Sequence, residues 1–159
     1  MTLKPGDIVP PTTLFEMGEE GPVPVSSEDI FKVKKVAVFG VPGAYTRTCS
    51  ARHLPGFVYN ADAIKARGVD DIVCLSVNDA WVMSAWGEVH GATGKVRMVG
   101  DGNLEFTRFA GLEVDLSAKG YGPRMKRFSA LIDDATVTHV HFEKEGFGET
   151  SAERLMEDL

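Results

Sequence analysis

VAVFGVPGAYTRTCSARHLPGF, residues Val36 to Phe57, passes from an apolar run through a polar loop to a cysteine. The run Val36–Val41 is β-branched and aromatic, the composition of a buried strand, and it breaks at Pro42-Gly43. Cys49 falls where the next helix begins. A strand, a turn and a thiol at a helix N-terminus is a chemical arrangement as much as a structural one. Unpaired N–H groups and the helix dipole favour negative charge at that end, and the thiolate is the reactive form of cysteine. Thr46, three residues earlier, can bring a hydroxyl to the sulfur, and Pro42 can shield it from bulk water. Free cysteine is usually a small buried apolar residue, but Arg47, Thr48, Ser50 and Arg52 make these surroundings polar.

Working outward, the same alternation repeats. The helix predicted from Thr48 to about Arg67 is kinked at Pro55, where a ladder hydrogen bond is lost, and stops at Gly68. Asp71–Val77 is a second strand, and Asn78 or Asp79 caps a helix reaching Val89. Val82, Met83, Trp86 and Val89 form its apolar stripe. Val96–Val99 is a third strand, and Leu104–Ala110 a short helix ending at Gly111. Glu113–Pro123 reads as loop. Arg127–Ile132 and Thr136–Phe142 read as a hairpin across Asp133-Asp134-Ala135. Upstream, residues 1–24 hold five of the eight prolines and read as an extended arm over the surface. Ser26 or Ser27 caps a turn of helix, and a last helix lies within 150–159.

Strand and helix alternation predicts parallel strands joined by right-handed crossovers, with the hairpin adding antiparallel ones. The expected fold is α/β: one domain spanning 1–159, a mixed central sheet with helices on both faces, of the thioredoxin-like kind. The chain has 159 residues, 43% hydrophobic, and a formal net charge of −6. This acidity gives no support to nucleic-acid binding. No apolar run has the length of a membrane span, and MTLKPGDIVPPTTLF lacks a secretory pattern, so the expected location is cytoplasmic. The two cysteines form neither CxxC nor a metal-ligand spacing. Cys74, mid-strand between Val73 and Leu75, reads as a packed thiol. A direct Cys49–Cys74 disulfide needs Cα atoms within about 7 Å, and a strand-end thiol and a mid-strand one are expected to miss that without local unfolding.

The string PGAYTRTC, Pro42 to Cys49, has the form PxxxTxxC and resembles the active-site signature of the peroxiredoxins. His53-Leu54-Pro55 after the cysteine, CLSVNDAWVMSAW (Cys74–Trp86) and YGPRMKRFSALID (Tyr121–Asp133) are similar to the type II, or peroxiredoxin-five, group. The resemblance implies a thiol-dependent peroxidase needing no cofactor and no metal. Cys49 would be the peroxidatic nucleophile and Thr46 a hydrogen-bond partner of thiolate and peroxide. Pro42 would shield the pocket, and Arg127 would supply a cation to sulfur and peroxide oxygens. Backbone N–H groups of Thr48 and Cys49 would add donors. Arg124 competes with Arg127, which is preferred because it directly precedes Phe128 as in the family's motif. Hydrogen peroxide or an organic hydroperoxide would be the substrate.

No cysteine follows Cys74, so the implied reductant is external, either glutaredoxin with glutathione or thioredoxin. A resolving role for Cys74 would require local unfolding. Arg47 departs from the proline of many relatives. The family commonly forms homodimers. Two other readings stay open at this level: a thiol–disulfide oxidoreductase, which the missing CxxC disfavours, and a non-catalytic thioredoxin-like binding module. His53 shares a helical face with Cys49 and reads as a packing or hydrogen-bonding histidine before a Cys–His dyad. His139, His141 and Glu143 read as strand residues before metal ligands. Trp81 and Trp86 read as core or interface residues.

Overall fold

The computed structural model describes residues 2–159. In chain order the strands and helices are β1 Thr13–Gly18, β2 Gly21–Ser26, α1 Ser27–Phe31 and β3 Lys35–Val41. A π-helical turn, Cys49–His53, runs directly into α2 Leu54–Ala66. Then come β4 Asp71–Ser76, α3 Ala80–Val89, β5 Arg97–Gly100, α4 Glu105–Phe109 and β6 Glu113–Asp115. The chain ends with β7 Pro123–Met125, β8 Phe128–Asp133, β9 Thr136–Phe142 and α5 Ala152–Met156.

Seven strands form one mixed sheet in the order β2-β1-β5-β4-β3-β8-β9. Strands β3, β4 and β5 are parallel neighbours, and β8 lies antiparallel to β3. The period-two alternation of β3 sends Val36 and Val38 to one core and Ala37, Phe39 and Val41 to the other. Helices α1 and α4 cover the first face through Ile30, Phe31, Phe106 and Ala110. Helices α2, α3 and α5 cover the second through Leu54, Phe57, Met83, Trp86 and Leu155. This is the thioredoxin-like mixed sheet with helices on both faces. Cys49 is buried in the second layer.

Local signals account for most boundaries. Ser26, Asp79 and Ser151 cap α1, α3 and α5 by accepting from Glu28, Val82 and Arg154 N–H groups. Asp134 and Ala135, with φ of 48° and 64°, make the two-residue turn between β8 and β9. Positive φ at both central residues matches the right-handed twist of the flanking strands.

Four features differ from the sequence-based expectation. The arm expected over residues 1–24 is extended only in part. Residues 13–26 pair as a hairpin that extends the sheet beyond β5. Pro22 and Pro24 are tolerated there because β2 is an edge strand. The helix expected around Pro55 runs unbroken from residue 47 to Ala66, but its irregularity takes the form of a π turn, Cys49–His53, just ahead of the proline, whose missing N–H leaves the ladder one bond short. Glu113–Asp115 and Pro123–Met125, expected within a loop, form a small two-stranded sheet. In α3, Met83 and Trp86 are buried, whereas Val89, expected on the apolar stripe, is 69% exposed; Trp81, read as a core or interface residue, is 59% exposed and so lies outside the core. Among the described residues no helix is long and apolar enough to cross a membrane.

Candidate active site

The loop leaving β3 is held from three sides. Ser76 at the end of β4 bonds the Val41 carbonyl, and Asn78 Oδ1 accepts from the Ala44 N–H at 3.0 Å. Arg124 Nη1 donates to the Pro42 carbonyl at 2.9 Å while its Nε donates to the Tyr121 carbonyl. Gly43 makes room for that clamp, because a Cβ there would lie 2.5 Å from Arg124 Nη1. Tyr45 adopts φ 66° in the tight turn. Thr46 then opens the helix: its hydroxyl donates to the Gly43 carbonyl at 2.6 Å, and its own carbonyl accepts from the Ser50 N–H at 3.0 Å. The N–H groups of Thr48 and Cys49 precede that first helical bond, so the helix leaves them without intrahelical acceptors.

Cys49 is fully buried and starts the π turn, whose closing bond runs from the Leu54 N–H to the Cys49 carbonyl. Arg127, just before β8, reaches across from the hairpin and puts Nη2 3.0 Å from Cys49 Sγ. Arg127 Nη1 lies 2.8 Å from His53 Nδ1, and His53 Nε2 lies 2.9 Å from the Thr150 carbonyl. These partners assign the tautomer. A guanidinium only donates, so Nδ1 accepts; a carbonyl only accepts, so Nε2 carries the proton. His53 is fully buried among Phe39, Phe57 and Phe147. Burial, and then the Arg127 cation, push its pKa down to about 3, against a smaller opposing effect of the Thr150 carbonyl. The imidazole is therefore neutral at physiological pH.

The candidate residues divide accordingly. Arg127 meets the Cys49 sulfur, while Pro42 and Thr46 lie on the loop that leads into its helix, bonded to Arg124 and Gly43. Arg124 braces that loop rather than the sulfur. The Thr46 hydroxyl makes its hydrogen bond to Gly43 and none to the Cys49 sulfur. Cys74 lies beside Phe39 in the adjacent strand, buried and unpaired. Burial holds its thiol well above the ordinary range, the charge of Cys49 adds to that, and Arg127 opposes it. His141 bonds Asp158, and Glu143 accepts four hydrogen bonds from Gly148, Glu149 and Thr150. Neither side chain is available as a metal ligand without breaking these contacts. Arg127 also lines a cleft of about 420 Å³ together with Pro42, Val114, Leu116, Lys126 and Phe142.

The packing and hydrogen-bonding role read for His53 is what the structure shows, although its acceptor role toward Arg127 depends on a residue 74 positions away. Sequence reasoning gave Phe147 and the Thr150 carbonyl no part in the site.

A thioredoxin-like sheet that presents a buried thiol at a helix start to an arginine defines the class: a cysteine-dependent oxidoreductase. Residues 4–156 match the Redoxin family. The chain is 44% identical over 156 residues to peroxiredoxin-2B of Arabidopsis thaliana, covering 97% of this chain and 96% of that protein. It is 43% identical to peroxiredoxin-2C of Oryza sativa subsp. japonica over 157 residues, with 97% and 96% covered. Reduced Prx3 of Vibrio vulnificus, solved in complex with hydrogen peroxide, superposes with a TM-score of 0.94 at 40% identity and 99% coverage of both chains. This chain belongs to the peroxiredoxin family, in its type II group. It is a thiol-dependent peroxidase.

Proposed function

We propose that Cys49 is the peroxidatic cysteine and that the Arg127 guanidinium, 3.0 Å from its sulfur, is the group that makes it so. The guanidinium sets a fixed positive charge beside the sulfur, and a thiol reacts as its thiolate. The thiolate attacks one peroxide oxygen. A sulfur–oxygen bond forms, the O–O bond breaks, and the departing oxygen leaves as water or an alcohol after taking the peroxide proton; the sulfenate left on Cys49 takes a proton from solvent to become the sulfenic acid. Arg127 stabilises the charge developing on that oxygen. With its proton committed to Gly43, the Thr46 hydroxyl offers a lone pair to the peroxide O–H. Pro42 walls the approach. Hydrogen peroxide and small organic hydroperoxides are the proposed substrates; the Vibrio vulnificus relative was crystallised with hydrogen peroxide.

The product sulfenic acid needs a thiol to reduce it. Cys74 is a poor candidate, because a buried thiol held protonated is a weak nucleophile. An external thiol takes that role: glutathione with glutaredoxin, or thioredoxin. It displaces water to form a mixed disulfide on Cys49, and a second thiol then releases the cysteine. A thiol-reducing compartment suits this cycle, and we assign the protein to the cytoplasm. A homodimer is favoured by exposed Tyr45 and Trp81, at 54% and 59%, on segments that Asn78 ties together.

Peroxide consumption measured with glutaredoxin plus glutathione, and separately with thioredoxin, tests the cycle and its reductant. Cys49→Ser should abolish turnover with either, and undiminished activity in that variant would end the proposal. Sedimentation of the reduced protein tests the dimer, which a monomer at micromolar concentration would exclude.

A further inference from the structure

We propose that His53 is a positioning residue for the peroxidase reaction: its unprotonated Nδ1 holds the Arg127 guanidinium so that the other terminal nitrogen meets the Cys49 sulfur, and the loop 143–150 holds His53 in turn. The inference rests on the assignment of Cys49 and Arg127 to the chemistry.

The geometry forms one chain of contacts. Arg127 makes no ion pair among the described residues; its two side-chain hydrogen bonds go to His53 Nδ1 and Cys49 Sγ. An arginine side chain loses considerable rotamer freedom when fixed, and a single contact to sulfur leaves its plane free to turn. The second contact, 2.8 Å away on the neighbouring nitrogen, fixes that plane. A carboxylate in this place would grip more strongly, as paired carboxylates do elsewhere in this protein, where Glu16 takes Arg97 through two nitrogens. It would also neutralise the charge that the thiolate and the leaving oxygen require. A neutral imidazole supplies orientation without cancelling that charge. It cannot become a cation cheaply, since that would set two positive groups 2.8 Å apart in a buried site.

The imidazole is itself fixed from behind. Its Nε2 donates to the Thr150 carbonyl, and Thr150 is held by Glu143 through both its N–H and its hydroxyl. Glu143 also accepts from the Gly148 and Glu149 N–H groups. Phe147, on the same loop, stands edge-on to His53 at 5.1 Å and lies 5.8 Å from the Arg127 guanidinium carbon. The loop therefore contributes one carbonyl and one ring to the placement of a cation that it never hydrogen-bonds.

The test compares His53→Phe, which keeps an aromatic ring and removes both nitrogens, with His53→Asn, whose amide oxygen can occupy the place of Nδ1. Two rates are read at fixed pH: oxidation of Cys49 by hydrogen peroxide and its alkylation by iodoacetamide. Misplacing a transition-state group by an ångström can cost on the order of 10²-fold. His53→Phe should lose about that much in peroxide rate and far less in alkylation, and His53→Asn should recover most of the loss. Glu143→Gln should show the same signature more weakly, and it carries the test if His53→Phe does not fold. A wild-type peroxide rate in His53→Phe, equal losses in both reactions, or no recovery in His53→Asn would overturn the proposal. A kinetic titration near the ordinary imidazole range that vanishes in His53→Phe would also overturn it, by making His53 an acid–base group. Arg127→Ala separates the two levels. If it is inactive while His53→Phe is unaffected, only the positioning role fails. If it is fully active, the assignment beneath it fails.

Discussion

Lowering the pH from 7 to 5 in the wild-type protein and in His53→Phe isolates the energetics of one buried imidazole. In the folded protein His53 takes up a proton only at about 3, against 6.5 for the free side chain. Its folded pKa is depressed, so its contribution to stability is present above 6.5 and is lost as pH falls towards 3. In that window the unfolded chain binds a proton that the folded chain refuses. Each pH unit below 6.5 then costs about 1.4 kcal/mol. At pH 5 the loss is about 2 kcal/mol, and it requires only that the folded value lie well below 5. For a chain of this size that corresponds to roughly 4–8 °C in Tm. Thermal and urea unfolding at both pH values measure it. His53→Phe lacks the titrating group, so its stability should fall by about 2 kcal/mol less over the same interval. Asp101, whose carboxyl burial raises, works in the opposite direction in both proteins and cancels in the comparison. Equal pH dependence in the two proteins would mean that His53 is solvated or already charged in the native state.

Three further outcomes follow from the same contacts. Arg127→Ala should lower the peroxide rate by roughly 10²–10³-fold, the usual cost of removing one preorganised donor; a loss under threefold in stopped-flow oxidation would contradict it. Cys74→Ala should turn over with an external thiol at the wild-type rate, and mass spectrometry after one equivalent of peroxide should find no Cys49–Cys74 disulfide in the wild-type protein. A stoichiometric disulfide would make Cys74 the resolving residue. Gly40→Ala should destabilise by about 1–3 kcal/mol, because its Cβ would lie 2.2 Å from Phe128 Cε1 and 2.5 Å from Met125 Sδ; an unchanged urea midpoint would show that the β3–β8 contact is looser than these distances.

What the sequence made legible was local. Lys35–Val41 is a strand by its β-branched run, Asp79 caps α3 by accepting from the Val82 N–H three residues on, and Asp134-Ala135 turns between two apolar runs. These signals act over a few residues, where composition and geometry are tightly coupled. The first hairpin was hidden because Pro22 and Pro24 argue against a strand, and only its position at the sheet edge removes the objection. The strands β6 and β7 are three residues each and depend on one another, with no apolar period to announce them. The π turn at Cys49–His53 was read as a plain helix because one extra residue in a turn leaves little compositional trace.

The site divides along the same line. Cys49, Thr46 and Pro42 lie within eight residues and share one turn, so their proximity follows from chain connectivity. Arg127 does not. Its arrival depends on the antiparallel pairing of β8 with β3, which runs from Lys35–Asp133 to Gly40–Phe128 and so delivers residue 127 just beyond the last pair, at the end of β3 from which the Cys49 loop departs. A shift of one residue in that register would invert the face on which Arg127 emerges. Phe128 seated over Gly40 opposes such a shift, since only a missing Cβ accommodates its ring. Gly40, by lacking a side chain, thus helps fix the register that brings the arginine to the thiol.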